Sequence, residues 1–100
     1  MIKIIATLLT IFAFNASHAK VNVGIILGFT GPIETLTPGM SAGAELAFNE
    51  AADSGKLLNG QGINIIKVDS ACVDSAAATS AAESLISQGV TAIMVLTVLV

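Results

Sequence analysis

The residues of this sequence that could do chemistry lie where two predicted strands end. A loop from Gly28 to Thr37 follows the first apolar strand, and Asp69 ends the second. Open parallel sheets bind ligands beyond the carboxyl ends of their strands, and a connection of this length is more often functional than a plain link. Neutral hydroxyls beside an apolar side chain suit hydrogen bonding to a small polar molecule. We therefore predict ligand-binding residues in this loop, the alternative being an ordinary connection. These candidates are Thr30, Thr35, Leu36 and Thr37.

Catalytic chemistry has little support in the sequence. The single histidine, His18, lies within the first nineteen residues, so no histidine downstream could activate a cysteine nucleophile or bind a metal. Neither the dinucleotide motif G-x-G-x-x-G nor the phosphate-binding motif G-x-x-x-x-G-K-S/T is present. Asp69 could contact a ligand, but the favoured interpretation is a loop carboxylate that caps the backbone. We predict a protein that is not an enzyme, with no cofactor and no metal.

Three short apolar stretches predict β-strands over residues 21–27, 63–68 and 90–94. Two longer segments between them have the composition of helices, which gives the order β-α-β-α-β. This order predicts an α/β fold with a parallel three-stranded sheet, right-handed crossovers and helices on both faces.

The two predicted helices have recognisable ends. Thr37-Pro38 predicts a hydroxyl N-cap with proline at the first helical position, and Gly55 predicts the stop. Asp74 or Ser75 is predicted to cap the second helix, which ends at Gly89. Helical spacing predicts their buried faces, which are Met40, Ala44, Ala47, Phe48 and Ala51 in the first helix and Ala78, Ala82, Leu85 and Ile86 in the second.

Residues 1–19 have the pattern of a secretory signal peptide. Lys3 precedes an uncharged apolar run over residues 4–14, and Ser17 and Ala19 are small residues at the cleavage positions before Lys20. The run is shorter than the roughly 17–25 residues needed to cross a bilayer. We predict cleavage after Ala19, a periplasmic location and a mature chain that is not embedded in the membrane.

The composition of residues 20–100 excludes some partners. Three lysines, no arginine and seven acidic residues give a formal charge of −4. An acidic chain without arginine is not expected to bind nucleic acid or anionic membrane surfaces, because both attract basic residues. This length is enough for one small domain and too short for two lobes.

Two runs of residues resemble the periplasmic branched-chain amino acid binding protein family. The first is G-F-T-G-P, followed after ten residues by G-A-E-L-A-F-N-E-A, over residues 28–51. The second is L-x-G-x-x-I-x-I-I-K-V-D-S-A-C-x-D, over residues 58–74. The resemblance covers nearly all of residues 21–94. It implies a type I periplasmic-binding fold, with residues 20–100 as the N-terminal part of lobe one.

The resemblance also implies a function. Members of this family are two-lobed clamps that close on an amino acid or a related small, amide-like solute and serve an ATP-driven importer in the inner membrane. Leu36 falls where members often place a bulky ligand-contacting residue, and the first-strand loop contributes side contacts. The serine and threonine groups that grip the carboxylate and ammonium of the ligand mostly lie after the third strand and further on.

Two departures from the family are expected. The family usually bridges the cysteine of D-S-A-C-x-D to a cysteine just after the third strand, but Cys72 is the sequence's single cysteine, so that disulfide partner is missing. From about Val95 the sequence leaves the family's Gly-rich continuation, which predicts a truncated lobe. A one-base frameshift at the Met94 codon would explain both, because the restored frame permits Met-Gly-Ala-Asp-Cys-Ser-Gly. The alternative is a genuine hydrophobic third strand and a natural stop.

Two other functions stay open from the residues alone. The chain could be a complete small exported α/β protein that associates with partners through its apolar C-terminal segment. A small secreted enzyme, such as an α/β hydrolase or a reductase, is the less favoured alternative. The sequence after residue 19 has no histidine, no nucleophile-elbow motif and no phosphate-binding loop.

Overall fold

The structure, a computed structural model, describes residues 20–95. Its elements in chain order are β1 (Val21–Leu27), α1 (Thr37–Asp53), a 3-10 turn (Leu58–Gly60), β2 (Ile63–Asp69), α2 (Ser75–Ser87) and β3 (Ala92–Val95). The predicted signal peptide lies outside the described residues, and so does all but Val95 of the departure expected from about Val95. Among the helices that the structure describes, none is both long and apolar enough to cross a membrane.

The three strands form one parallel sheet in the order β2-β1-β3. The register places Val21 opposite Ile63 and Leu27 opposite Asp69. The α/β fold with a parallel three-stranded sheet is therefore confirmed, although β3 begins two residues later than the sequence predicts. Because β1 and β2 end side by side, the segments that follow them meet at one edge of the sheet, which we call the carboxyl edge.

The two helices cover opposite faces of the sheet. On one face, Ile26 of β1 packs with Leu85 of α2, and Ile66 and Val68 of β2 are half-buried against them. Successive side chains of a strand point to opposite faces, so Lys67 projects to the other side. There its Nζ lies 2.9 Å from a carboxylate oxygen of Glu45 on α1. Helices on both faces are as the sequence predicts.

The start of α1 differs from the prediction. Leu36, not Thr37, occupies the N-cap position, and no side chain caps this end of the helix. Thr37 is fully buried, and its hydroxyl donates to the backbone carbonyl of Glu34 at 3.3 Å. The hydroxyl is bonded within the turn before the helix, so it does not accept from the N–H groups of the first helical turn. Pro38 lies in the first turn and Gly55 follows the helix with φ +65°, as predicted.

The buried faces of both helices are only partly those that the spacing predicts. In α1, Ser41 is buried while Met40 and Ala47 are exposed. In α2, Leu85 is buried as predicted, but Ile86 is 66% exposed and the other buried residue is Ala81, with Ala78 and Ala82 half-buried. Residues four apart share a helix face, whereas adjacent residues are about 100° apart. Contact with the sheet therefore selects Ala81 and Leu85, and turns Ile86 towards solvent.

Asp74 caps α2, which decides between the two predicted caps. Its backbone is extended, with φ −129°, and its carboxylate accepts a hydrogen bond from the Ala76 N–H at 2.8 Å. Replacing Asp74 by alanine should lower the free energy of unfolding by about 1 kcal/mol, because an orphan N–H of the helix loses its acceptor. Urea denaturation measures this. Asp53→Ala removes an acid at the C-terminal end of α1, where a negative charge is not stabilising, and is the control. Equal losses in both variants would contradict the capping role.

Candidate solute-binding loop at the carboxyl edge

The loop after β1 and the turn after β2 touch at the carboxyl edge. We call residues 28–37 the binding loop and residues 70–74 the second-strand turn. A Cβ atom placed on Gly28 would lie 2.6 Å from Sγ of Cys72, and one placed on Gly31 would lie 2.8 Å from the carbonyl oxygen of Ala71. Gly31 also has φ +92°, which residues with a side chain rarely adopt. The first part of the loop therefore packs directly on the turn, and glycine is required at both contacts.

Asp69 links the same two segments by hydrogen bonds. Its Oδ1 accepts from the N–H of Thr30 at 3.2 Å and from the N–H of Ala71 at 2.9 Å. Its Oδ2 accepts from the Thr30 hydroxyl at 2.5 Å. The Thr30 hydroxyl, and then the Ala71 and other backbone N–H groups, hold the pKa of Asp69 below its ordinary value of 3.8. The carboxylate caps the backbone, which confirms the favoured interpretation of this residue.

The second-strand turn has an unusual backbone. Ala71 and Cys72 have φ +55° and +61°, in the left-handed region that favours glycine. Cys72 is half-buried, with Sγ 3.8 Å from Oγ of the buried Ser70. Such conformations persist where the surrounding contacts impose them, and they are common beside functional sites. The sequence does not predict this backbone geometry, because alanine and cysteine seldom adopt it.

The four predicted ligand-binding residues have different surroundings. Thr35 and Leu36 project from the loop, and Leu36 is 62% exposed. Thr30 lies at the surface with its hydroxyl on Asp69, and Thr37 is buried with its hydroxyl on Glu34. The structure thus leaves two of these side chains open to a ligand and engages the other two within the protein. Contact of each with a ligand stays a prediction.

An open groove of ≈580 Å³ runs beside the binding loop, between α1 and β2. The Lys67–Glu45 ion pair lies in it, and hydrogen bonds from Lys67 and then Ser41 hold the pKa of Glu45 below its ordinary value. The groove was not predicted from the sequence, although the spacing of Ser41 and Glu45 places both on one helix face. None of the predicted ligand-binding residues lines it. The lining residues are Phe29, Pro38, Ser41, Ala42, Glu45, Leu46, Asn49 and Lys67.

Within residues 20–95, no group of three or more histidine, cysteine, aspartate or glutamate side chains is placed to hold a metal ion. The carboxyl edge offers hydroxyl groups, backbone amides, the carboxylates of Asp69, Glu34 and Asp74, and the exposed side chain of Leu36.

Comparison with known families agrees with this geometry. A family model described as "Periplasmic binding protein" matches residues 20–98. The chain belongs to the periplasmic binding protein family. Its parallel sheet and two helices are part of a lobe of the type I periplasmic-binding fold. A search among curated proteins gave no significant match.

Membership of the periplasmic binding protein family fixes the broad role. The family binds substrates outside the cytoplasm, its ligands are small solutes, and its members in general work with a transporter. The family is generally non-enzymatic. Open parallel sheets in general bind ligands beyond the carboxyl ends of their strands.

Proposed function

We propose that this protein is the extracytoplasmic substrate-binding component of an ATP-driven importer for branched-chain amino acids or related small solutes. The observation that carries the proposal is the binding loop itself. It is hydrogen-bonded through Thr30 to Asp69 at the end of β2, it packs on the second-strand turn at Gly28 and Gly31, and it presents Thr35 and Leu36 to solvent beyond the end of β1.

The chemistry of the loop suits an aliphatic amino acid or an amide. Leu36 offers an apolar surface, and burying apolar area is worth roughly 25 cal/mol per Å². The Thr35 hydroxyl can donate to and accept from a neutral polar group. Burial of a solute by domain closure would cover both side chains, so an exposed Leu36 is expected in a lobe that has not closed on its ligand. The resemblance to the branched-chain amino acid binders supports this class of solute.

The test of solute class uses a two-lobed hybrid in which residues 20–95 replace the corresponding segment of a periplasmic binding protein. Isothermal titration with leucine, isoleucine, valine and a small aliphatic amide should show binding of at least one. Glucose, lysine and glutamate serve as controls of different chemistry. A hybrid that unfolds cooperatively but binds only the controls would overturn the proposed solute class.

Export through a cleaved signal peptide is part of this proposal. The charged start, the apolar run and the small residues before Lys20 motivate cleavage after Ala19. N-terminal sequencing of the secreted product should therefore begin at Lys20. A product that starts at Met1 and stays in the membrane fraction would contradict it.

A further inference from the structure

The carboxylate of Asp69 reaches across the carboxyl edge to a residue 39 positions earlier in the chain. Thr30 donates to it through both its N–H and its hydroxyl, and the Ala71 N–H donates to the same oxygen as the Thr30 N–H. One side chain thus joins the end of β2, the binding loop and the second-strand turn. A carboxylate has about four lone-pair sites, and these bonds occupy three of them.

Other bonds of the binding loop have a different role. Glu34 donates its N–H to the carbonyl of Gly31, and Leu36 and Thr37 donate theirs to the carbonyl of Ile33. These bonds are internal to the loop, so they shape its second half without attaching it to the sheet. The contacts of Gly28 and Gly31 with the turn are close approaches that limit where the loop can go. Among the hydrogen bonds described for residues 20–95, those that join the loop to β2 are the bonds on Asp69.

We propose that Asp69 is a positioning residue, which fastens the binding loop to the second-strand turn and thereby sets where Thr35 and Leu36 meet the solute. The placement of Thr35 and Leu36 against a solute rests on the proposed function. The attachment of the loop is a property of the protein alone and can be tested without a solute.

The charge of Asp69 makes the attachment strong and sensitive to pH. Hydrogen bonds to an ionised acceptor are roughly twice as strong as neutral ones. Because the pKa of Asp69 is lowered in the folded protein, the attachment is complete above 3.8 and is lost as the pH falls through the lowered pKa. The other titratable groups around the carboxyl edge are Glu34 on the loop, Glu45 on α1, Lys67 on β2, and Cys72 and Asp74 on the second-strand turn.

Hydrogen exchange followed by mass spectrometry of the full chain tests the attachment. In Asp69→Asn, amides of a peptide over residues 28–37 should exchange about tenfold faster than in the parent protein, because the neutral side chain loses the charge and has one acceptor oxygen in place of two. A peptide over residues 21–27 should keep its protection, which shows that the sheet is intact. Asp53→Asn removes a carboxylate at the far end of α1 and should leave the loop unchanged.

Two further readouts separate positioning from general stability. After correction for intrinsic exchange rates, the loop of the parent protein should lose protection as the pH falls below 3.8, whereas the Asp69→Asn loop should show no such step. If Asp69→Asn does not fold, Thr30→Val removes the hydroxyl donor and should loosen the loop, while Thr30→Ser keeps it and should not.

An Asp69→Asn loop that exchanges like the parent, or a pH step that persists in this variant, would overturn the positioning role. Failure of the hybrid to bind any amino acid or amide would instead count against the proposed function, so the two failures are distinguishable.

Discussion

Replacing Leu85 by alanine should lower the free energy of unfolding by about 2–5 kcal/mol. Leu85 is fully buried, and it joins α2 to the sheet by packing with Ile26 and Ala81. The sheet approaches it closely, since a Cβ atom placed on Gly24 would lie 2.5 Å from Cδ1 of Leu85. Because residue 24 is a glycine, it has no side chain that could fill the cavity left by Leu85→Ala. Small domains are usually stable by only about 5–15 kcal/mol, so this loss should remove a large part of the stability of the protein.

The adjacent residue provides the control for this prediction. Ile86 is a similar aliphatic side chain on the same helix, but it is 66% exposed. Ile86→Ala should change stability by no more than about 0.5 kcal/mol. Urea denaturation followed by circular dichroism measures both variants. A comparable loss of stability in Leu85→Ala and Ile86→Ala would contradict the described orientation of α2.

Replacing Gly31 by alanine should destabilise the protein by about 1–2 kcal/mol from backbone strain alone. At φ +92° an alanine is strained whatever space surrounds it, and its Cβ would also lie 2.8 Å from the Ala71 carbonyl oxygen. Relieving that contact means moving the loop from the turn, so the bonds between Thr30 and Asp69 should weaken too. Thermal unfolding gives the stability, and hydrogen exchange of residues 28–37 gives the order of the loop.

The matched variant Gly43→Ala should have the opposite effect. Gly43 lies inside α1, and nothing comes within 4 Å of a Cβ atom placed on it. Alanine is favoured over glycine in a helix interior by about 1 kcal/mol, so stability should rise. A Gly31→Ala variant that is as stable as the parent protein, or more stable, would mean that the backbone of the loop does not require glycine.

The sequence predicted those parts of the fold that depend on local chemistry. Asp74 caps its own helix, and Gly55 and Gly89 adopt positive φ just after a helix, so their effects require no distant residue. The apolar strands were recognisable because β1 is covered on both faces and is apolar over most of its length. Alternation of strands and helices then predicted the parallel sheet.

The parts that the sequence did not predict depend on tertiary contacts. Thr37 has the residue type of an N-cap, but the fold buries it and directs its hydroxyl to Glu34. Helical spacing showed that α2 has an apolar side, but Ala81 and Ile86 both lie near that side. Only contact with the sheet decides which of the two is buried.

The candidate site was predictable in place but not in detail. Topology alone put the binding loop at the carboxyl edge, beside Asp69. The bonds between Asp69 and Thr30 join residues far apart in the sequence, and Ala71 and Cys72 have a left-handed backbone that their residue types disfavour. Neither these bonds nor this backbone conformation can be predicted from residue type or spacing.

The most direct measurement compares two leucines of the two-lobed hybrid by isothermal titration with its amino acid ligand. Leu36 lies in the binding loop, whereas Leu57 precedes β2 and is similarly exposed, at 52% against 62%. If the binding loop forms a wall of the site, Leu36→Ala should raise the Kd by about tenfold or more, since loss of a well-buried apolar contact is worth roughly 1.5–3 kcal/mol. Leu57→Ala should leave the Kd unchanged. Equal Kd values for the two variants and the parent hybrid would contradict a solute site at the end of β1.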